Sequence, residues 1–501
     1  MPARPLSFVN LAADSWSLPP SLRQTSNFQP AIEFLSPKIT PVMRLHPRLH
    51  LETPLNSGSS LPCSPLSPLA SFFRLPTVIL GRCILNFSNS TNPFSTDRPF
   101  FYHSTNQIAK MSAPQRCAAV VVGSGPAGLA VMGNLLERQL SGKIAWIDPS
   151  FQGGRVNRKY REVPSNTKVG LFQAYATAVQ PFRSVIDSTP APNPFTTMAK
   201  LDQEKTCHLH HAADMMRALT DGVVKMEQVY ACRGMVTAAN QAANTGSWTV
   251  RIHRSDSQDD VEIITPQLIL CTGSSPTFLP MPETASPLQR LDLDMALKPS
   301  DLAAFLPRDM PLTIGVVGAS HSAILVLLNL VDLARSSHPQ LRVKWFTRHG
   351  MRYAEYKDGW ILRDNTGLKG LAADFARTQL EDAMLPTSEA GQFITKIDCS
   401  GGQETAQYQK HLPSCSYLVQ AVGYTRDPLP ELTVDGAELT PEFDHESGNF
   451  KNAQGHLIPG LHGAGVAFPE RVVDPYGNVE YAVGFFKFMK FLRRVCPQWT
   501  S

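Results

Sequence analysis

The chain has 501 residues, a formal net charge of +4 and nine cysteines. That length accommodates roughly two or three domains, and the nearly balanced charge gives no general electrostatic support for a nucleic-acid partner. The cysteines are scattered, without a C-x-x-C pair or a zinc-ligand spacing. This argues against a disulfide scaffold, a structural metal site and a redox dithiol on adjacent turns, and leaves open a pair brought together by the fold.

Residues 1–110 differ from the rest. They are rich in Ser, Pro and Asn, carry nine lysines and arginines against four acids, and show little periodicity. Their most apolar part, Phe72–Phe87, is interrupted by Arg74 and Arg82 and is too short and too charged for a membrane span. No secretory signal is recognisable. The segment reads as a disordered or targeting N-terminal extension. Either it is a basic, acid-poor targeting peptide that implies a mitochondrial protein, or Met111 is the working start and the protein is cytoplasmic. We favour Met111.

Residues 117–131 organise the remainder of the chain. Ala118–Val122 is an apolar, β-branched run of the kind found in a buried parallel strand. Gly123, Ser124, Gly125, Pro126, Ala127 and Gly128 then spell G-x-G-x-x-G. The first glycine permits the tight turn, the second a close pyrophosphate, and the third close helix–strand packing. The next helix offers its N-terminus to phosphate. Residues 143–148 read as the second strand, and Asp148 ends it where a carboxylate would bind ribose hydroxyls. These parts complete a nucleotide-binding βαβ unit.

Beyond Asp148, Gly153 and Gly154 let the backbone pass close to a ligand, and Arg155 either faces a phosphate or is solvated. Residues 163–175 read as a loop and then a helix, with Ser165, Asn166 and Thr167 as candidate N-caps. His208, His210 and His211 fall in an expected helix over 207–219, at a spacing that disfavours a shared metal. Residues 228–253 alternate as two strands, and 267–273 is a buried strand whose Gly273 would meet the nucleotide.

Residues 311–326 repeat the opening design, with Gly318, Ser320 and Ala323 at the three glycine positions. The hydroxyls of Ser320 and Ser322 are candidate phosphate donors. The following strand, 341–347, ends in Arg348 and His349, where the first unit has an acid. A basic residue there accommodates the 2′-phosphate of NADPH; an exposed charged loop is the alternative. The chain is then expected to return to the first domain. It does so through a buried strand over 416–424 ending in Gly423, a glycine-rich turn over 460–465 ending in Gly465, and an amphipathic helix over 479–495. Phe485, Phe486, Phe488 and Phe491 of that helix read as core.

This order resembles the two-dinucleotide-binding-domain flavoproteins over roughly residues 115–495. The resemblance implies an α/β fold with two Rossmann-like domains, the NADPH domain inserted in the FAD domain. The FAD domain would span 111–310 and 401–501, and the NAD(P)H domain 311–400. Three features are similar to the flavin-containing and N-hydroxylating monooxygenases: Gly153–Arg155, the Ser-Asn pair at 165–166, and the turn at 318–323. In that branch the asparagine lies beside the flavin, which gives Asn166 a catalytic role. The F-x-G-x-x-x-H-x-x-x-Y/F stretch of the branch is missing, and the terminal turn lacks the Gly-Asp pair of the disulfide reductases, so the chain is an outlying member.

The resemblance implies an FAD- and NADPH-dependent monooxygenase that acts through a flavin C4a-peroxide on a small organic substrate and O₂. An NAD(P)H-dependent flavin reductase without a dithiol, and a non-catalytic flavin-binding sensor, are the alternatives. Residues 358–367 and 462–470 are candidate walls of the substrate pocket. No metal ligand, nucleic-acid partner or transmembrane segment is expected.

Overall fold

The computed structural model describes residues 114–257, 259–282 and 288–500; the extension 1–110 and Met111 lie outside the described residues. The first apolar run forms strand β1 (Ala119–Val122), and helix α1 (Pro126–Glu137) follows the glycine turn. Gly123 has φ +101°, and a Cβ there would lie 2.4 Å from the Cys271 carbonyl oxygen; one on Gly128 would lie 1.9 Å from the Gly123 oxygen. Only glycine fits either position.

Strand β2 (Ile144–Ile147) pairs in parallel with β1. Helix α2 (Gly154–Lys159) leads into strand β3 (Pro164–Lys168) and helix α3 (Val169–Ala176). The expected loop is therefore an extended strand, paired with Thr206–His208. Lys168 occupies the N-cap of α3 without a side-chain bond, and Ser165 Oγ instead accepts from the Thr167 N–H at 2.8 Å. The histidine-bearing helix α4 (Leu209–Val223) starts after His208, which belongs to the preceding strand.

Strand β4 (Val229–Cys232) closes one edge of the first sheet. The expected pair of strands over 228–253 is replaced by a three-stranded antiparallel meander, Gly234–Gln241, Trp248–Arg254 and Asp260–Thr265. Strand β5 (Leu268–Leu270) returns beside β1.

The chain then builds the second unit. A short helix α5 (Leu293–Ala296) precedes strand β6 (Leu312–Val317), helix α6 (His321–Ser336), strand β7 (Leu341–Thr347), strand β8 (Ile394–Asp398) and strand β9 (Tyr417–Gln420). β9 pairs in parallel with β6, Ile314 opposite Tyr417, so it lies inside the second sheet. The expected boundary at 400 is thus too early: the second unit keeps the chain through β9, and Gly423 follows the C-terminal end of that strand rather than belonging to the returning first domain. An apolar strand satisfies its hydrogen bonds equally well in either sheet, and the parallel partner decides.

Strand β10 (Leu457–Gly463) rejoins the first sheet beside β5. The expected terminal helix divides in two. Val479–Ala482 is a strand, β11, paired with Glu470–Val473, and the helix α7 (Phe485–Trp499) begins only after Gly484 at φ +147°. Phe485, Phe488 and Phe491 are buried against α1 and α3 with Met489 and Leu492, and Phe486 packs at the edge of that core. Each fully buried side chain of this size stabilises by about 1.5–3 kcal/mol.

The two units share a further detail. Trp146 stands opposite Val121, and its indole N–H donates to the Gly123 oxygen at 2.9 Å. Trp345 stands opposite Val316, and its indole donates to the Gly318 oxygen at 2.7 Å. Each glycine turn is pinned by a tryptophan on the neighbouring strand.

Candidate active site

The first turn is built around a buried carboxylate. Asp148 Oδ2 accepts the Ser124 N–H at 2.8 Å, while Oδ1 accepts from the Ser150 N–H at 2.8 Å and the Phe151 N–H at 2.7 Å. The acid expected at the ribose therefore fixes the turn's backbone. Gly125 caps α1 without a side-chain bond, and nothing lies within 4 Å of where its Cβ would be. That leaves the helix N-terminus and an open approach to it. Gly154 comes close on one side: its Cβ would be 3.0 Å from the Gly125 Cα. Gly465 packs on the start of α1, with Ala127 Cβ 2.5 Å from where its own Cβ would be. Tyr175 donates to the Pro126 oxygen at 2.7 Å, and Gly273 has φ +87°.

Ser124 Oγ and Thr272 Oγ1 are buried beside this turn and have no hydrogen-bond partner. Two orphaned hydroxyls, an uncapped helix N-terminus and a glycine with open space are what a dinucleotide pyrophosphate requires. The residues present fit FAD.

Arg155 is partly exposed and has protein partners. It forms an ion pair with the buried carboxylate of Asp294 on α5, and its Nη1 donates to Ser275 Oγ at 3.3 Å. Tyr160 donates to Asp294 Oδ1 at 2.8 Å and lies 3.4 Å from the Tyr424 hydroxyl. Burial pushes both phenols above their usual range. Tyr424 in turn shares a hydrogen bond with Ser322. This partly buried chain runs from the Gly-Gly turn to the second glycine turn. Sequence reasoning missed Tyr160, Asp294 and Tyr424, whose spacing carries no signal.

The second turn opens on a cavity of about 360 Å³. Gly318, Ser320, Ser322 and Gly423 line it, together with Arg348 and Asn166. Thus Asn166 from the first unit and the phosphate turn of the second share one space. Asn166 is exposed, caps no helix and accepts from Thr167 Oγ1 at 3.2 Å. The Ser320 hydroxyl is spent on the backbone, donating to the Ala421 oxygen at 3.2 Å, so it is not the free phosphate donor expected. Arg348 is half-paired, its Nε 3.5 Å from Glu404 Oε1; His349 and Arg352 add basic groups to the same wall. None of the residues lining this cavity is an acid, so the donor set fits a phosphorylated dinucleotide.

Of the expected substrate walls, Asn365, Thr366 and Gly367 reach the cavity. Glu480 on β11 holds the first two in place, accepting from the Asn365 N–H at 3.0 Å, Asn365 Nδ2 at 3.1 Å and Thr366 Oγ1. His462 does not reach it. The imidazole is buried, bonded to Gln267 at 2.6 Å and Asn449 at 2.8 Å, and stacked on Trp499. The seven cysteines among the described residues are free, and among those residues no helix is long and apolar enough to cross a membrane.

A family model described as FAD-NAD(P)-binding matches residues 120–275, the stretch that carries the first turn, the meander and β5. Monooxygenase AgnR1 of Paecilomyces divaricatus is 70% identical over 391 residues, covering 78% of this chain and 100% of the relative. The chain belongs to this monooxygenase family. Among solved structures, the bacillithiol disulfide reductase of Staphylococcus aureus aligns at a TM-score of 0.44 and 12% identity, over 77% of this chain and 99% of its own. The OTEMO complex with FAD and NADP aligns at 0.32 and 16%, over 48% and 40%. The monooxygenase has an FAD- and NAD(P)-binding fold of Rossmann type, and of the three activities weighed from sequence it is the first that its family carries.

Proposed function

We propose that FAD lies along the first glycine turn, that NADPH occupies the cavity at the second, and that a small organic substrate and O₂ meet the flavin at the Asn166 end. One observation carries this reading: Asn166, the Gly318–Ala323 turn and an acid-free basic wall converge on a single cavity. FAD supplies the redox chemistry and the activation of oxygen when bound. The chain's own residues do the rest. Gly123, Gly125 and Gly128 present the N-terminus of α1 to the FAD pyrophosphate, while Asp148 holds that turn rigid. Arg155, tied to Asp294, fixes the Gly-Gly turn against the second unit. Arg348 and Arg352 carry the 2′-phosphate that separates NADPH from NADH. Asn166 holds a neutral amide at the site and keeps a hydrogen bond available without charge.

We place this catalytic unit in residues 111–501, in the cytoplasm. The full-length match of the relative to 391 residues of this chain supports that extent.

Anaerobic mixing of the flavin-loaded protein with NADPH tests the assignment. Flavin absorbance bleaches with NADPH and more slowly with NADH, and it recovers on admission of O₂ with oxygen transferred to substrate. Arg348→Ala raises the KM for NADPH about tenfold and leaves that for NADH nearly unchanged. A flavin that NADPH does not bleach rules the reading out.

A further inference from the structure

The second glycine turn carries a side chain that phosphate binding by backbone alone leaves idle. His321 opens α6 between Ser320 and Ser322 and forms part of the cavity wall. Its Nδ1 is sealed from solvent and has no hydrogen-bond partner. Ser320, the N-cap, makes no side-chain bond to the helix, because its hydroxyl is held by the Ala421 oxygen. The helix N-terminus therefore has no acceptor supplied by its own cap, and an imidazole stands beside it.

The groups facing this imidazole are basic or neutral. Lys369 acts on it from the start of the helix over 370–375 and is itself paired with Asp364. Arg348, His349 and Arg352 stand on the cavity wall with Tyr408 and Tyr424, and no acid lines it. Burial and the Lys369 charge lower the imidazole to about 4, and the positive end of the helix dipole acts in the same direction. In the protein alone the ring is thus neutral, in a space arranged for an anion.

We propose that His321 is a specificity contact for the dinucleotide: as the pyrophosphate docks at the turn, the imidazole takes one proton from solvent and donates a hydrogen bond to a phosphate oxygen. The inference rests on the reading that this cavity takes NADPH. No bond is made or broken besides the N–H formed. The incoming anion supplies the counter-charge that the wall lacks, so binding and protonation favour each other. Affinity then rises as the pH falls below the ring's bound-state value, towards about 4.

Calorimetric titration of the flavin-loaded full chain with NADP⁺ tests this, in two buffers of different ionisation enthalpy, near pH 6. The 2′-phosphate titrates in the same range, with a second pKa of about 6. That contribution is common to wild type and variant, so their difference isolates the imidazole. Wild type takes up more protons per NADP⁺ than His321→Gln. His321→Ala loses roughly 10- to 100-fold in affinity, the loss of a hydrogen bond to a charged group. His321→Gln, which keeps a donor, recovers part of that affinity at neutral pH and none of the extra proton uptake. Wild-type proton uptake in His321→Gln overturns the proposal, even if His321→Ala fails to fold. A wild-type protein that binds no NADP⁺ overturns the reading of the cavity and the proposal with it; loss confined to the variants separates the two.

Discussion

Asn166 is a residue whose bland explanation the structure removes. An Asn three positions before a helix suits capping, but α3 is capped at Lys168 without it, and the side chain stands exposed at the cavity. Asn166→Ala is therefore expected to leave the protein's stability and its NADPH-driven flavin reduction intact. What changes is the fate of the oxygen: hydrogen peroxide formed per NADPH consumed rises severalfold. A peroxide assay alongside NADPH oxidation measures this ratio, and an unchanged ratio removes Asn166 from the chemistry. Asp294 poses the opposite case, a buried acid satisfied by Arg155 and Tyr160. Asp294→Ala leaves a largely buried guanidinium without its counter-charge and costs about 3 kcal/mol in urea unfolding. Arg155→Met with Asp294→Leu removes both charges and recovers much of that loss. A double-variant loss equal to the sum of the two single-variant losses would show that the pair is not coupled.

At the level of elements, two glycines of the first turn separate folding from binding. Gly123 is enclosed, with φ +101° and the Cys271 oxygen 2.4 Å from a would-be Cβ; Gly125 has open space in the same direction. Gly123→Ala is expected to unfold more easily by at least about 2 kcal/mol and to lose flavin as a consequence. Gly125→Ala keeps the wild-type urea midpoint and still purifies with less flavin, because the added methyl occupies the phosphate's approach. The flavin-to-protein absorbance ratio, read beside the unfolding midpoint, distinguishes them. Both turns were legible in the sequence because their signal is local: a strand, glycines at fixed offsets and a helix within about 25 residues. What was not legible depended on distant partners. β9 is a short apolar run that reads the same in either sheet, and only its pairing with β6 assigns it. β11 was absorbed into the helix after it because Val479–Ala482 is too short for its period to show, and its partner strand is a hairpin away. Asp148 was found at its place, but the three backbone N–H bonds it accepts carry no signal in the spacing. His321 sat inside a motif that was read for its small residues.

For the molecule as a whole, the buried imidazoles set how it meets acid. His462 joins the first sheet to α7: its ring bonds Gln267 and Asn449 and stacks on Trp499. Burial lowers it to about 3, against an ordinary value of 6.5. The folded state therefore binds a proton less readily than the unfolded chain. Stability contributed by the neutral ring is complete above about pH 6.5 and is lost as the pH falls below that, down to the folded value. The slope is about 1.4 kcal/mol per pH unit for one such imidazole, and His321 adds a second in the protein without dinucleotide. Carboxylates with lowered values, such as Asp256 and Asp444, also cost stability in acid, but only as the pH nears their ordinary 3.8. The interval from about pH 6.5 to 5 thus reports on histidines. Urea midpoints measured across it should fall steeply in the wild type. In His462→Gln they start lower at neutral pH, where the stacked ring is missed, and fall less steeply. Saturating NADP⁺ flattens the slope further, because His321 is then already protonated in the folded state. A His462→Gln profile parallel to wild type would place the acid sensitivity elsewhere in the chain.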